Sequence, residues 1–163
     1  MFPEDIQTLA AEVIDAAVRK GVRVATAESC TGGLVAAALT AVPGSSAVLD
    51  RGFVTYSNAA KASMIGVDAA VIAADGAVSE GVARAMAEGA VAHSDADLAV
   101  SITGVAGPGG GSVEKPVGLV HFAAHDAAGT VHRVERFSDL GRDQVRLASV
   151  RVALGLLLQK VGG

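Results

Sequence analysis

With 163 residues, 51% of them hydrophobic and 18% charged, the chain favours one globular domain spanning 1–163 and rich in core-forming residues. A net charge of −4 leaves no basic footprint for nucleic acid, no apolar run approaches the length of a membrane span, and a lone cysteine, Cys30, excludes an internal disulfide. The acidic start MFPEDIQ lacks the layout of a signal peptide, so the expected setting is a reducing cytoplasm.

In chain order, Ile6, Leu9, Val13 and Ala17 recur at helical spacing over Pro3 to Lys20, and Gly21 stops the helix. Val22 to Ala27 reads as a strand. Thr31 to Ala41 reads as a helix ended by Pro43-Gly44, and Ala47 to Tyr56 as a second strand. Ser57 or Asn58 caps a helix that runs to Gly66, and Ser79-Glu80 opens another through about His93. Leu98 to Thr103 is a compact apolar strand before a glycine-rich stretch. Val117 to His125 and Thr130 to Phe137 form a hairpin across DAAG, and Arg142 to Lys160 closes the chain as a helix. The alternation predicts a layered α/β/α domain with a mixed, mostly parallel sheet that includes the hairpin. With four Phe, one Tyr and no Trp, its core must rely on small residues and close backbone approach.

In open α/β sheets ligands sit beyond the carboxyl ends of the strands, and TAESCTGG, Thr26 to Gly33, falls there. Ser29 or Cys30 at the start of the following helix is placed to attack a carbonyl, with helix-start amides to hold the oxyanion. Gly32 and Gly33 admit a close backbone approach. The plainer alternative is that Ser29 or Thr31 caps the helix and Cys30 is merely buried. A nucleophilic serine needs a base. Histidine is the usual one, but none of His93, His121, His125 and His132 adjoins a carboxylate in a triad-like pattern. Lys61 in YSNAAK is the other candidate, because a desolvated lysine loses its proton more readily. Tyr56 ends the preceding strand at the same mouth. Both also have ordinary readings, as a solvated helix lysine and a strand-end anchor. The hairpin histidines are more simply solvent-facing than metal-ligating, and no metal is expected.

SITGVAGPGGGS, Ser101 to Ser112, is neither a dinucleotide fingerprint nor a P-loop, but its amides suit an anion. A flexible connection is the alternative. Arg142 and Arg146, four apart near a helix start, oppose the helix dipole and so read as anion ligands, unless Asp139 and Asp143 neutralise them.

Taken in order, TAESCTGG, GFVTYSNAAK, GAVSEGVARAMAEGA and ITGVAGPGGGSVEKPVGLV resemble the CinA C-terminal domain family, over about Ile6 to Leu158. The family is similar to nicotinamide mononucleotide amidases, which convert the carboxamide to a carboxylate with release of ammonia. Since the chain starts at Met1 directly in this part, it looks like the family's stand-alone form. The resemblance implies Ser29 as nucleophile, Lys61 as base and Tyr56 as relay. It also implies a pyridine-nucleotide pocket built from Glu28, Cys30, Thr31, Gly32, Gly33, Thr103, Gly104, Gly107, Gly109, Gly110, Arg142 and Arg146. GRDQVR departs from the family's usual approach to the second arginine. The implied scheme requires no metal or cofactor and no nucleic-acid or membrane partner, and it leaves a homo-oligomer open. A nucleotide-binding regulatory module without turnover and a Cys30-dependent hydrolase stand as alternatives.

Overall fold

The computed structural model describes residues 1–138 and 140–162; Asp139, raised above as a neutraliser of the arginines, lies outside the described residues. Helix α1, Glu4–Lys20, carries acids in its first turn and bases in its last, matching its dipole, and ends on Gly21 in the left-handed conformation. Strand β1, Val24–Glu28, is buried on both faces. After it come α2, Leu34–Thr40, a 3₁₀ turn at Ser45–Ala47, and β2, Leu49–Val54. Three helices follow, each with a side-chain cap. Ser57 accepts from the Ala60 amide at α3, Asn58–Ile65; Asp68 from Ala70 at α4, Ala69–Asp75; Ser79 from Val82 at α5, Glu80–Ala92. Then come β3, Leu98–Gly104, the hairpin strands β4, Leu119–Asp126, and β5, Gly129–Arg136, and the long α6, Arg142–Gly162.

The strand order is β2-β1-β3-β4-β5. The first three strands run parallel, and β4 and β5 add antiparallel pairings. One face of the sheet packs a large core against α1, α2 and α6, including Ile6, Val13, Leu39, Val100, Phe122 and Leu154. The other packs smaller residues, Ala25, Ala27 and Ala99, against α3, α4 and α5. That second face shows the close approach expected from the composition. Ser101 donates from its hydroxyl to the Ala83 carbonyl at 2.6 Å, and a Cβ at Gly89 would run into the Ile65 carbonyl. The layered α/β/α architecture expected from the sequence is therefore present. Among the described residues, no helix is long and apolar enough to cross a membrane.

Two local features differ from the sequence reading. Helix α2 begins at Leu34 rather than Thr31, because Gly32 (φ 56°) and Gly33 (φ 102°) hold a turn in the left-handed region first. Helix α4 was not expected. Its sequence, AAVIAAD, buries only Ile72, so it lacks the periodic apolar stripe that marks a helix.

Candidate active site

The carboxyl ends of β1 and β3 lie side by side, and the Ser29 amide donates across to the Ile102 carbonyl at 2.9 Å. The polypeptide then turns tightly, with the Gly32 amide bonded to the Ser29 carbonyl at 3.0 Å. Glu28 organises this turn from beneath. Its carboxylate is buried and accepts from the Thr31 hydroxyl at 2.7 Å and from the Val35 and Ala36 amides at 2.9 and 3.0 Å. The Val35 and Ala36 amides are thus taken by Glu28 and the Leu34 amide by the Thr31 carbonyl at 3.1 Å, so of the helix-start amides read from the sequence only those before α2 are left to face a substrate oxyanion. Arg146 pins the outside of the turn, donating to the Cys30 and Thr31 carbonyls at 3.1 and 3.2 Å.

On the opposite side, the Glu28 carbonyl accepts from the Thr55 amide, which carries the chain from β2 toward α3. Lys61, the fourth residue of α3, reaches back into the interior and is only 1% exposed. Its Nζ lies 3.1 Å from Ser29 Oγ. It donates to the Thr55 carbonyl at 2.9 Å and, weakly, to the Tyr56 carbonyl at 3.5 Å. A neutral amine has two N–H bonds and one lone pair. With the two carbonyls taking the N–H bonds, the lone pair is left for the serine hydroxyl. Burial pushes the Lys61 pKa below the usual lysine value, opposed only by the charge that Cys30 would carry as a thiolate. Burial also pushes the Cys30 thiol up to about 11, the opposite of an acidified nucleophile.

A cavity of about 310 Å³ opens above this pair, within the range of small-molecule sites. Of the residues read from the sequence, Ser29, Cys30, Tyr56, Lys61, Thr103, Gly104, Gly109, Gly110 and Arg142 line it. Six do not. Glu28 and Thr31 bond each other, Gly32 and Gly33 shape the turn, Arg146 holds that turn, and Gly107 gives its carbonyl to Arg142 at 2.7 Å. Arg142 also donates to the Tyr56 hydroxyl at 3.2 Å, so the phenol faces the arginine while the Tyr56 carbonyl faces Lys61. Thr103 donates its hydroxyl to the Ala77 carbonyl at 2.8 Å, anchoring the Ala77–Val78 segment as a further wall. Neither arginine pairs with Asp143 among the described residues.

No histidine lines the cavity. His121 Nδ1 and His132 Nε2 are 2.9 Å apart on the hairpin, and His125 bonds Thr130. Among the described residues no group of three metal-ligating side chains converges. The sequence reading missed Asn58, Ala77, Val78, Val105 and Ala106 as cavity residues. Only Asn58 carried a signal, a polar residue one turn before Lys61.

A model of the CinA C-terminal domain matches residues 6–161. The CinA-like protein of Anaeromyxobacter sp. (strain K) is 52% identical over 157 residues, covering 96% of this chain but only 38% of that relative, so this chain spans well under half of such proteins. The nicotinamide-nucleotide amidohydrolase PncC of Escherichia coli (strain K12) is 51% identical over 161 residues, covering 98% of this chain and 97% of that protein. The crystal structure of the competence/damage inducible protein CihA from Agrobacterium tumefaciens superposes with a TM-score of 0.97 at 52% identity, covering 100% of this chain and 99% of that one.

Proposed function

The chain belongs to the CinA C-terminal domain family, and from that premise we propose that it hydrolyses the carboxamide of nicotinamide mononucleotide to the carboxylate and ammonia. The observation that carries the reading is the buried contact between Lys61 Nζ and Ser29 Oγ at the floor of the cavity. Neutral Lys61 takes the Ser29 proton as Oγ attacks the carboxamide carbon. The oxyanion is held by the amide of Cys30, a residue of the cavity wall, to which no carbonyl or carboxylate is bonded among the described residues. Protonated Lys61 then delivers its proton to the departing nitrogen, ammonia leaves, and water attacks the acyl-enzyme with Lys61 again as base. The scheme moves each proton through Lys61; the Tyr56 hydroxyl, read above as a relay, accepts from Arg142 and keeps its own O–H to donate. The substrate phosphate meets Arg142 and the glycine-rich loop at the rim. The high thiol pKa disfavours a Cys30-dependent reaction.

The test is ammonia release from nicotinamide mononucleotide, with nicotinamide riboside as comparison. Turnover of the mononucleotide, with a much poorer kcat/KM on the riboside, is the expected result. No ammonia from either substrate would leave the non-catalytic binding module as the better reading. Equal kinetics on both would remove the phosphate site.

A further inference from the structure

Asn58 lines the cavity, yet neither the fold nor the chemistry above uses its side chain. The cap of α3 is supplied by Ser57, whose Oγ accepts from the Ala60 amide at 3.0 Å, so Asn58 is free of that duty. Asparagine is a weak helix former, and this one makes no side-chain hydrogen bond among the described residues. It stands one helical turn before Lys61, on the same face of α3.

The cavity is graded in depth. Ser29 and Lys61 are buried at its floor, Arg142, Gly109 and Gly110 are exposed at its rim, and Asn58 lines it one helical turn out from Lys61. On the amidase reading, on which this inference rests, the reacting carboxamide reaches the floor and the phosphate stays at the rim. The covalent order of a nicotinamide nucleotide then puts its ribose between the two, at the level where Asn58 enters. We propose that Asn58 is a specificity-determining residue that binds the ribose hydroxyls. Its carboxamide both donates and accepts, as a vicinal diol does, and it presents no charge to repel a cationic pyridinium or an anionic phosphate.

The experiment compares wild type and Asn58→Ala on nicotinamide mononucleotide and on its 2′-deoxy and 3′-deoxy analogues. Asn58 is exposed and Ser57 keeps the cap, so the variant folds. Loss of one hydrogen bond is expected to lower wild-type kcat/KM about tenfold on at least one deoxy analogue, mainly through KM. Asn58→Ala should lose about tenfold on the parent nucleotide and nothing further on that analogue. Losses that add, or parent kinetics unchanged in Asn58→Ala, overturn the proposal. If wild type turns over none of the substrates, the amidase reading falls. Calorimetric binding of the same nucleotides then decides the Asn58 contact, and equal affinity for parent and both deoxy forms overturns it.

Discussion

Two connections leave neighbouring strand ends and are built in opposite ways. The turn after β1, Ser29 to Gly33, has one partner after another: Ile102 for the Ser29 amide, Glu28 for the Thr31 hydroxyl, Arg146 for the Cys30 and Thr31 carbonyls. The connection after β3, Val105 to Gly118, is exposed from Pro108 to Glu114. Its two ends are bonded to each other and to the hairpin through Val105, Gly118, Leu119 and Phe137; between them it is tied by Arg142 on the Gly107 carbonyl, by Lys115 on the Asp75 carbonyl, and by its own Ser112–Lys115 bonds. On the proposed reading, the wall that carries the attacking oxygen is the closely held one, and the wall that meets the rest of a ligand is held less closely. Reaction geometry tolerates little displacement, whereas binding a large ligand tolerates adjustment.

The largest effect should come from the fixed wall itself. Ser29→Ala is expected to lower kcat by on the order of 10⁴-fold or more while urea unfolding stays cooperative. Near-normal turnover would sink the serine assignment. Cys30→Ala serves as control and should keep most activity.

Lys61 links chemistry to stability, and both are expected to rise with pH. Lys61→Arg should be nearly inactive, since arginine stays protonated. In wild type, kcat/KM should rise with pH through an apparent pKa below the usual 10.5. The lysine binds its proton less tightly folded than unfolded. Between the lowered folded value and 10.5 the unfolded chain therefore holds more protons, and stability increases with pH across that window. Lys61→Met should be inactive yet lack that rise, as read from urea midpoints at neutral and alkaline pH. A parallel rise in the variant would assign it to another group.

Glu28→Gln tests how firmly the turn is fixed. The carboxylate meets three donors, and an amide would turn its own N–H₂ toward one of them. A loss of about 1–3 kcal/mol in stability is expected, with kcat lowered up to about 100-fold through displacement of Ser29. An unchanged kcat would show that Ser29 does not depend on this support. The smallest effects belong to the loose wall. Gly109→Ala, with open space around its Cβ, should stay within about 0.5 kcal/mol of wild type. Gly33→Ala, held at φ 102°, should lose about 1 kcal/mol or more. Equal losses at the two glycines would erase the contrast between the walls.

Much of the fold was legible because its signals are local. Caps, stop glycines and apolar stripes mark α1, α3 and α5, and the hairpin turn marks β4 and β5. Ser29, Lys61 and Arg142 were legible as cavity residues through strand-end placement and motif. What stayed hidden depended on partners distant in sequence. Arg146 looked like an anion ligand, but its acceptors are carbonyls more than 100 residues away. Glu28 looked like a site acid, but the two positive-φ glycines delay α2 just enough for its first amides to close on the carboxylate. Asn58 looked like a cap until Ser57 was seen to fill that place.

The bond from the Ser29 amide to the Ile102 carbonyl also bears on when the site is completed during folding. Ser29, Lys61 and the turn between them lie in the first half of the chain, but the acceptor that fixes the turn arrives with β3, a parallel neighbour far along the sequence. Such distant pairings form late, because a long loop must close before they repay its entropy. A nascent chain that has exposed Ser29 therefore still lacks the strand whose carbonyl holds the Ser29 amide. Activity on the proposed reading should therefore await completion of the sheet, and on refolding it should be among the last properties to return.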